Sequence, residues 1–175
     1  MRQKNLGKNM VTGEQFDALE YFKHLAESNK LAKDNGFIVD FCSGPEALAP
    51  AMANFRDAAN FIFIDDTSAG NTHSNKVGWF DKSVYTVFII AGWDMRKNDY
   101  NKKLRLCRTI FRQLLSKVIH DIKQRTYGDE LVYLQINNVY TNEFGRYSFN
   151  GATGMMFMIN NEEPTNLIYD PEQWL

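Results

Sequence analysis

Three stretches with apolar residues at every third or fourth position predict helices. The first follows a capping box that begins at Thr12 and is expected to end near Asp34. The second is predicted over residues 43–59, with Ser43 as its N-cap. The clearest covers residues 99–125, and its apolar positions would bury one face of a long helix: Leu104, Cys107, Phe111, Leu114, Leu115, Val118 and Ile122.

Short runs of β-branched and aromatic residues predict the strands of a sheet. Asn150-Gly151 is a strong signal for a hairpin between the last two runs. Asp81-Lys82 is interpreted as a turn, and the polar residues 66–76 as an exposed, mobile loop. The predicted strands cover residues 37–42, 60–65, 77–80, 83–91, 131–136, 145–149 and 153–159.

This order of elements predicts an α+β domain. We expect a mixed, mainly antiparallel sheet with the long amphipathic helix and the shorter helices packed on it, because only the early strand–helix–strand unit demands a parallel crossover. Residues 1–11 are interpreted as a flexible N-terminal extension and residues 12–160 as the single domain. Residues 161–175 form an acidic, aromatic tail that is expected to dock on the domain or on a neighbouring copy.

Length and composition place the chain among soluble globular proteins. Its 175 residues, 44% of them hydrophobic, suffice for one domain with a core. The first ten residues are polar and basic, and the longest apolar run, residues 85–91, is too short for a membrane span. We therefore expect a cytoplasmic or virion location and no membrane partner. Met10 is an alternative start.

Charge is distributed unevenly along the sequence. Ten Lys or Arg residues and two acids lie between positions 96 and 125, although the whole chain has a formal net charge of −1. At helical spacing, Arg105, Arg108, Arg112 and Lys123 fall on one flank beside the apolar stripe. Three interpretations remain open: a solvated face with charges paired inside the fold, a surface that meets an acidic patch on a second copy, or contacts to nucleic-acid phosphates.

A search for catalytic and metal-binding motifs gives one weak candidate. No zinc-protease, P-loop, dinucleotide-binding or CxxC motif occurs in the sequence, and we expect no cofactor. His73 lies downstream of Asp65 and Asp66, and such carboxylates with an imidazole are ligands for a divalent cation. His24 and His120 are interpreted as surface positions on helices.

The cysteines and tryptophans are interpreted from their local context. Cys42 and Cys107 lie in apolar surroundings, so we expect two buried free thiols, although a disulfide remains open. Trp79, Trp93 and Trp174 lie near the ends of elements, where aromatic side chains either dock within the chain or anchor a contact between subunits.

The element order resembles that of tail-terminator or tail-completion proteins of long-tailed bacteriophages and prophages. The resemblance rests on residues 83–91, 99–125, 131–136 and 150–159, about half of the chain. It implies a small α+β subunit that forms a ring on the growing tail tube, stops its polymerisation and presents a surface to the head connector. It also implies that the protein is not an enzyme, and it transfers no individual site residue.

The leading functional hypothesis is therefore a structural assembly protein, a phage or prophage tail or neck component that forms a homo-oligomeric ring. Its expected partners are further copies of itself, tail-tube proteins and head-connector proteins. One alternative is a small-ligand or metal-dependent enzyme that uses the segment from Asp65 to His73. A second alternative is a nucleic-acid-binding module that uses the basic helix 99–125.

Overall fold

A six-stranded mixed sheet organises the part of the chain that the structure describes. The structure, a computed structural model, describes residues 16–53, 59–149 and 151–174. The strands follow the order β1-β2-β4-β6-β5, and β3 pairs with β4 beside this path. They are β1 (Phe37–Cys42), β2 (Asn60–Asp65), β3 (Asn71–Ser74), β4 (Trp79–Gly92), β5 (Tyr140–Phe149) and β6 (Ala152–Thr165).

Four α-helices accompany the sheet within the described residues: α1 (Ala18–Ser28), α2 (Lys30–Asp34), α3 (Leu48–Ala53) and α4 (Tyr100–Gln124). β1 and β2 are parallel, whereas every other pairing is antiparallel. The predicted fold class is confirmed: an α+β arrangement with a mixed, mainly antiparallel sheet and one long helix.

The larger hydrophobic core lies on the face of the sheet that α1 and α4 cover. Strand residues such as Ile62, Ile89 and Phe157 contact buried helix residues there, among them Phe22 and Ile110. Burying such side chains stabilises the fold by roughly 1.5–3 kcal/mol each. α4 is therefore held on the sheet by its apolar stripe, as its periodicity predicts.

A smaller core lies on the opposite face of the sheet. Phe61 and Phe63 stack there, with ring centroids 5.4 Å apart, and Phe88 and Ile90 of β4 lie beside them. Leu48 of the short helix α3 covers this cluster and is 1% exposed. The two faces of the sheet are thus buried by helices of very different length.

Several predicted elements agree closely with the structure. β1 and β2 have the predicted bounds, and α4 begins and ends within one residue of the prediction. β5 and β6 form the predicted hairpin, and Gly151 in its turn has a φ of +77°. Asn150 lies outside the described residues.

The N-terminal helical prediction is right at its end, Asp34, but wrong at its start and in its continuity. α1 begins at Ala18, and the carboxylate of Asp17 accepts hydrogen bonds from the amides of Leu19 and Glu20. Thr12 lies outside the described residues. Asn29 then interrupts the helix, because its side chain caps α2 by accepting from the Ala32 amide at 2.8 Å.

The predicted helix over residues 43–59 is also corrected. A 3-10 turn, Pro45–Ala47, precedes the six-residue α3, and residues 54–58 lie outside the described part. Ser43 is not the cap. Gly44 takes that position with a φ of +83°, and its amide donates to the Asp65 carboxylate at 3.0 Å.

The segment before the central strand differs from its prediction. Residues 71–74 of the expected loop form β3, which pairs with the first residues of β4. The turn lies at residues 75–78, where the Asn75 side chain accepts from the amides of Val77 and Gly78. Asp81-Lys82 is not a turn, because both residues pair with β6 inside the continuous strand β4.

Residues 131–136 form turns and one isolated bridge, Leu134 to Asn161, so the predicted strand is wrong. The buried residues Leu131 and Leu134 are three positions apart, and the Leu134 amide donates to the Leu131 carbonyl at 3.2 Å. That spacing fits a turn better than a strand, in which side chains alternate between faces.

Candidate interaction surfaces

The outer face of α4 is the main basic surface of the chain. Its inner face contains Cys107, Ile110, Leu114 and Val118, all buried against the sheet. At 100° per residue, Arg105, Arg112 and Lys123 fall within about 20° of one another, on the side away from that stripe. All three are exposed. Over the rise of an α-helix, Arg105 and Lys123 are about 27 Å apart.

Arg108 is neutralised within its own chain. Its Nε and Nη2 atoms donate to the two carboxylate oxygens of Glu143 on β5, at 2.6 and 2.8 Å. This bidentate bond lowers the pKa of Glu143 and raises that of Arg108. The guanidinium of Arg108 therefore belongs to the packing of α4 on the sheet edge rather than to the open basic surface.

The remaining basic residues of this region divide into two groups. Arg96, Lys97, Lys117 and Arg125 each lie within ion-pair distance of an aspartate. In the described part of the chain, the other cations form no ion pair: Lys102, Lys103, Arg105, Arg112 and Lys123. The outer face of α4 therefore keeps an excess of unpaired positive charge in the folded chain.

A buried aspartate links α1 to the end of α4. Asp121 is 1% exposed, and its carboxylate accepts hydrogen bonds from the Tyr21 hydroxyl and the Thr126 hydroxyl, both at 3.1 Å. The ammonium of Lys117 contacts the same carboxylate. Burial and the nearby Asp121 charge raise the pKa of Tyr21 above its ordinary value. The hydrogen bond between Tyr21 and Asp121 therefore joins α1 to α4.

An open groove of about 1130 Å³ lies between α1, α2 and α4. We call it the α1–α4 groove. Its floor includes Leu25 and Leu31, and polar side chains of all three helices form its rim. His24 and His120, which are far apart in sequence, both line it, as do Arg112 and Gln113.

The charge of the α1–α4 groove is positive on balance. Its two lining carboxylates, Asp34 and Asp121, are each paired with a lysine, Lys30 and Lys117 respectively. Arg112 forms no ion pair with any described residue. An anionic group entering the groove would therefore meet an uncompensated cation.

The C-terminal segment after β6 leaves its apolar side chains exposed. We call residues 166–174 the C-terminal tail. Leu167, Ile168, Tyr169 and Trp174 are exposed by 53%, 83%, 69% and 69%. The rings of Tyr169 and Trp174 stack on each other at 6.2 Å. The strand β6 itself continues to Thr165, so the acids Glu162 and Glu163 belong to the sheet.

The three tryptophans occupy different environments, and Trp79 and Trp93 lie at opposite ends of β4. Trp79 begins β4 and is 47% exposed. Trp93 follows the other end of that strand, where its ring meets Tyr100 edge-on at 5.7 Å. The buried indole nitrogen of Trp93 has no hydrogen-bond partner among the described residues. Trp174 lies in the C-terminal tail.

The structure separates the residues of the metal-site hypothesis. Asp65 is buried and its carboxylate accepts from the Gly44 amide and from the amide and hydroxyl of Thr67. His73 lies on β3, with its Nε2 3.2 Å from the Glu162 carboxylate. Ile64 pairs with Val87 and His73 with Phe80, so roughly 20 Å of strand β4 lies between the two sites.

The cysteines are buried free thiols, as predicted, and they lie on opposite faces of the sheet. Cys107 belongs to the larger core and Cys42 to the smaller one. Burial raises the pKa of each thiol to about 12, and for Cys42 the nearby Asp65 and Asp66 add to the effect. A disulfide between the two is excluded by the sheet that separates them.

Sequence reasoning missed two features of these surfaces. Glu143 is 35 positions from Arg108, and no local pattern connects them. The α1–α4 groove arises because Asn29 ends α1 and turns α2 aside, a junction that the helical periodicity does not reveal.

No helix in the described ranges is long and apolar enough to cross a bilayer. No group of three or more His, Cys, Asp or Glu residues in those ranges lies close enough together to hold a metal ion. Comparison of the chain with protein-family models and with curated proteins finds no match.

Proposed function

We propose that this chain is a structural assembly subunit that forms a homo-oligomeric ring, as a tail or neck component of a phage or prophage. One observation supports the proposal above the others. The same chain has an unpaired basic face on α4 and an exposed acidic, aromatic tail. Two different, complementary surfaces on one subunit are what head-to-tail contacts in a ring require.

The phage context of the proposal rests on the resemblance of element order to tail-terminator and tail-completion proteins. β4, α4 and the β5–β6 hairpin cover most of the residues of that resemblance. Residues 131–136 form turns rather than a strand, so that part of the resemblance is lost.

The test is the mass of the protein in solution at several salt concentrations. We expect an oligomer at low ionic strength that dissociates as salt screens the charged contacts. Arg105→Glu/Arg112→Glu should weaken it at least about tenfold, since like charges would then face each other. Lys76→Glu/Arg96→Glu, exposed residues outside α4 and the groove, changes the net charge equally and is the matched control.

Mass photometry and sedimentation velocity give the readout. A strict monomer at high protein concentration, alone and with a tail-tube protein, would contradict the proposal. Equal weakening by both double variants would show that net charge, rather than the face of α4, governs association.

The unpaired cations of α4 also support a second candidate, a contact to nucleic acid. Lys102, Arg105, Arg112 and Lys123 line a face about 32 Å long, and phosphate contacts made by such a row weaken steeply with salt. DNA binding that decreases with salt and is lost in Arg105→Glu/Arg112→Glu would favour this candidate. Binding unaffected by that substitution would exclude the face.

A further inference from the structure

The C-terminal tail does not bury its apolar side chains on its own sheet. Four of its apolar side chains are more than half exposed, although burying each would be favourable. Asp170 accepts from the Glu172 amide at 3.0 Å and so fixes a 3-10 turn, Pro171–Gln173. This turn brings the rings of Tyr169 and Trp174 together. The tail thus presents two stacked aromatic rings, with the carboxylates of Asp170 and Glu172 between them in the sequence.

The α1–α4 groove has the complementary properties. Leu25 and Leu31 supply an apolar floor, and Arg112 at the rim has no acidic partner among the described residues. Its carboxylates are already paired with lysines, so they oppose an incoming acid only weakly. A segment with aromatic rings and acids, and with no basic residue, matches this lining.

We propose that the C-terminal tail of one copy occupies the α1–α4 groove of a second copy. The inference rests on the proposed assembly function and names the contact that would mediate it. Tyr169 and Trp174 pack on the floor of the groove, while Asp170 and Glu172 face Arg112. Each copy then gives one tail and receives one, which is a head-to-tail contact that closes into a ring at a suitable rotation.

The occupant is a second copy rather than the same chain. In the single chain the tail does not lie in the groove: its apolar residues are exposed by 53–83%, and its aromatic rings contact each other. The tail contains two acids and no base, whereas the groove has an uncompensated arginine. Each chain therefore has both the tail and the groove, but the two do not contact each other within the chain.

Site-specific cross-linking of the full-length protein tests this contact. Gln113→Cys places a thiol in the groove of one sample, and Gln173→Cys places one in the tail of another. The native thiols are buried and do not compete. After mixing and treatment with a short bis-maleimide, we expect a covalent dimer of the two variants. Val77→Cys, 88% exposed and outside the groove, replaces Gln113→Cys as the matched control.

Substitutions in the two surfaces should then reduce the yield of the dimer. Tyr169→Ala/Trp174→Ala in the tail partner removes the aromatic anchors, and we expect a loss of at least about tenfold. Arg112→Glu in the groove partner should lower the yield about threefold to tenfold and remove its salt dependence.

The outcomes separate this inference from the proposed function. An oligomer by mass photometry with no groove-to-tail dimer, or with equal yield from Val77→Cys, overturns the inference and leaves the assembly function. A cross-link that forms within single chains of Gln113→Cys/Gln173→Cys, but not between the two single variants, also overturns it, since the tail then binds its own groove. A monomer at every concentration overturns both.

Discussion

At the residue scale, burial decides the chemistry of the two cysteines. Raising the pKa from 9.0 to about 12 lowers the thiolate fraction of Cys42 and Cys107 at pH 8 by about a thousandfold. Because the thiolate is the reactive form, the native protein should react with a thiol reagent far more slowly than the denatured protein. An Ellman assay with and without denaturant measures the difference.

The raised pKa values of the two thiols also determine the direction in which stability changes with pH. A thiol with a raised pKa in the folded state favours folding below its unfolded pKa of 9.0, and this contribution is lost as pH rises towards about 12. We therefore expect the urea midpoint to decrease above pH 9. Rapid labelling of the native protein at pH 8 would contradict the burial of both thiols.

Asp121 is a buried polar side chain whose removal should destabilise the fold. Asp121→Ala leaves the Tyr21 hydroxyl and the Lys117 ammonium without their shared acceptor, and we expect a loss of about 2–4 kcal/mol of unfolding free energy. Asp129→Ala, at an exposed pair with Arg125, is the control and should change stability by less than about 0.5 kcal/mol. Urea denaturation gives both values, and equal losses would contradict the network.

At the element scale, β6 passes very close to its neighbour at Gly154. A Cβ there would lie 2.0 Å from the Ile89 carbonyl oxygen and 2.9 Å from the Ile90 Cα. Gly154→Ala should therefore push β6 away from β4 and destabilise the protein by at least about 2 kcal/mol. Gly78→Ala, where nothing lies within 4 Å, is the matched control and should be nearly neutral. Thermal unfolding followed by circular dichroism distinguishes them.

Elements with a strong local pattern were predictable from sequence. α4 and the strands β1 and β2 depend on apolar periodicity within their own residues, and their bounds agree with the structure. Asp81-Lys82 has the composition of a turn, but both residues pair with β6, some 80 positions later. Tertiary pairing overrides local propensity there, and no single segment contains that information.

The candidate surfaces were predictable to a smaller extent. The basic flank of α4 follows from helical spacing, whereas the pairing of Arg108 with Glu143 depends on where β5 meets α4. The groove likewise depends on how α1 and α2 pack against α4. The residues that line the groove come together only when the helices pack. Helical spacing therefore identified Arg112 as a surface cation but did not predict the groove beside it.

At the scale of the whole molecule, the formal net charge of −1 is the sum of a basic surface and an acidic surface. The outer face of α4 is basic, while the acids at the end of β6 and in the tail lie C-terminal to it in the sequence. Because net charge is so small, long-range repulsion between copies is weak, and the pattern of charge governs how they meet. Association should therefore depend on orientation and on salt more than on overall charge.

The position of β4 in the sheet has a consequence for synthesis of the chain. All fourteen residues of β4 pair with β6, which is synthesised only after α4 and β5. Until then one side of an apolar strand is unpaired, and such an edge is a template for contact with other nascent chains. We expect the yield of refolding from urea to decrease as protein concentration rises. It should recover when a chaperone that shields unpaired strands is added before dilution.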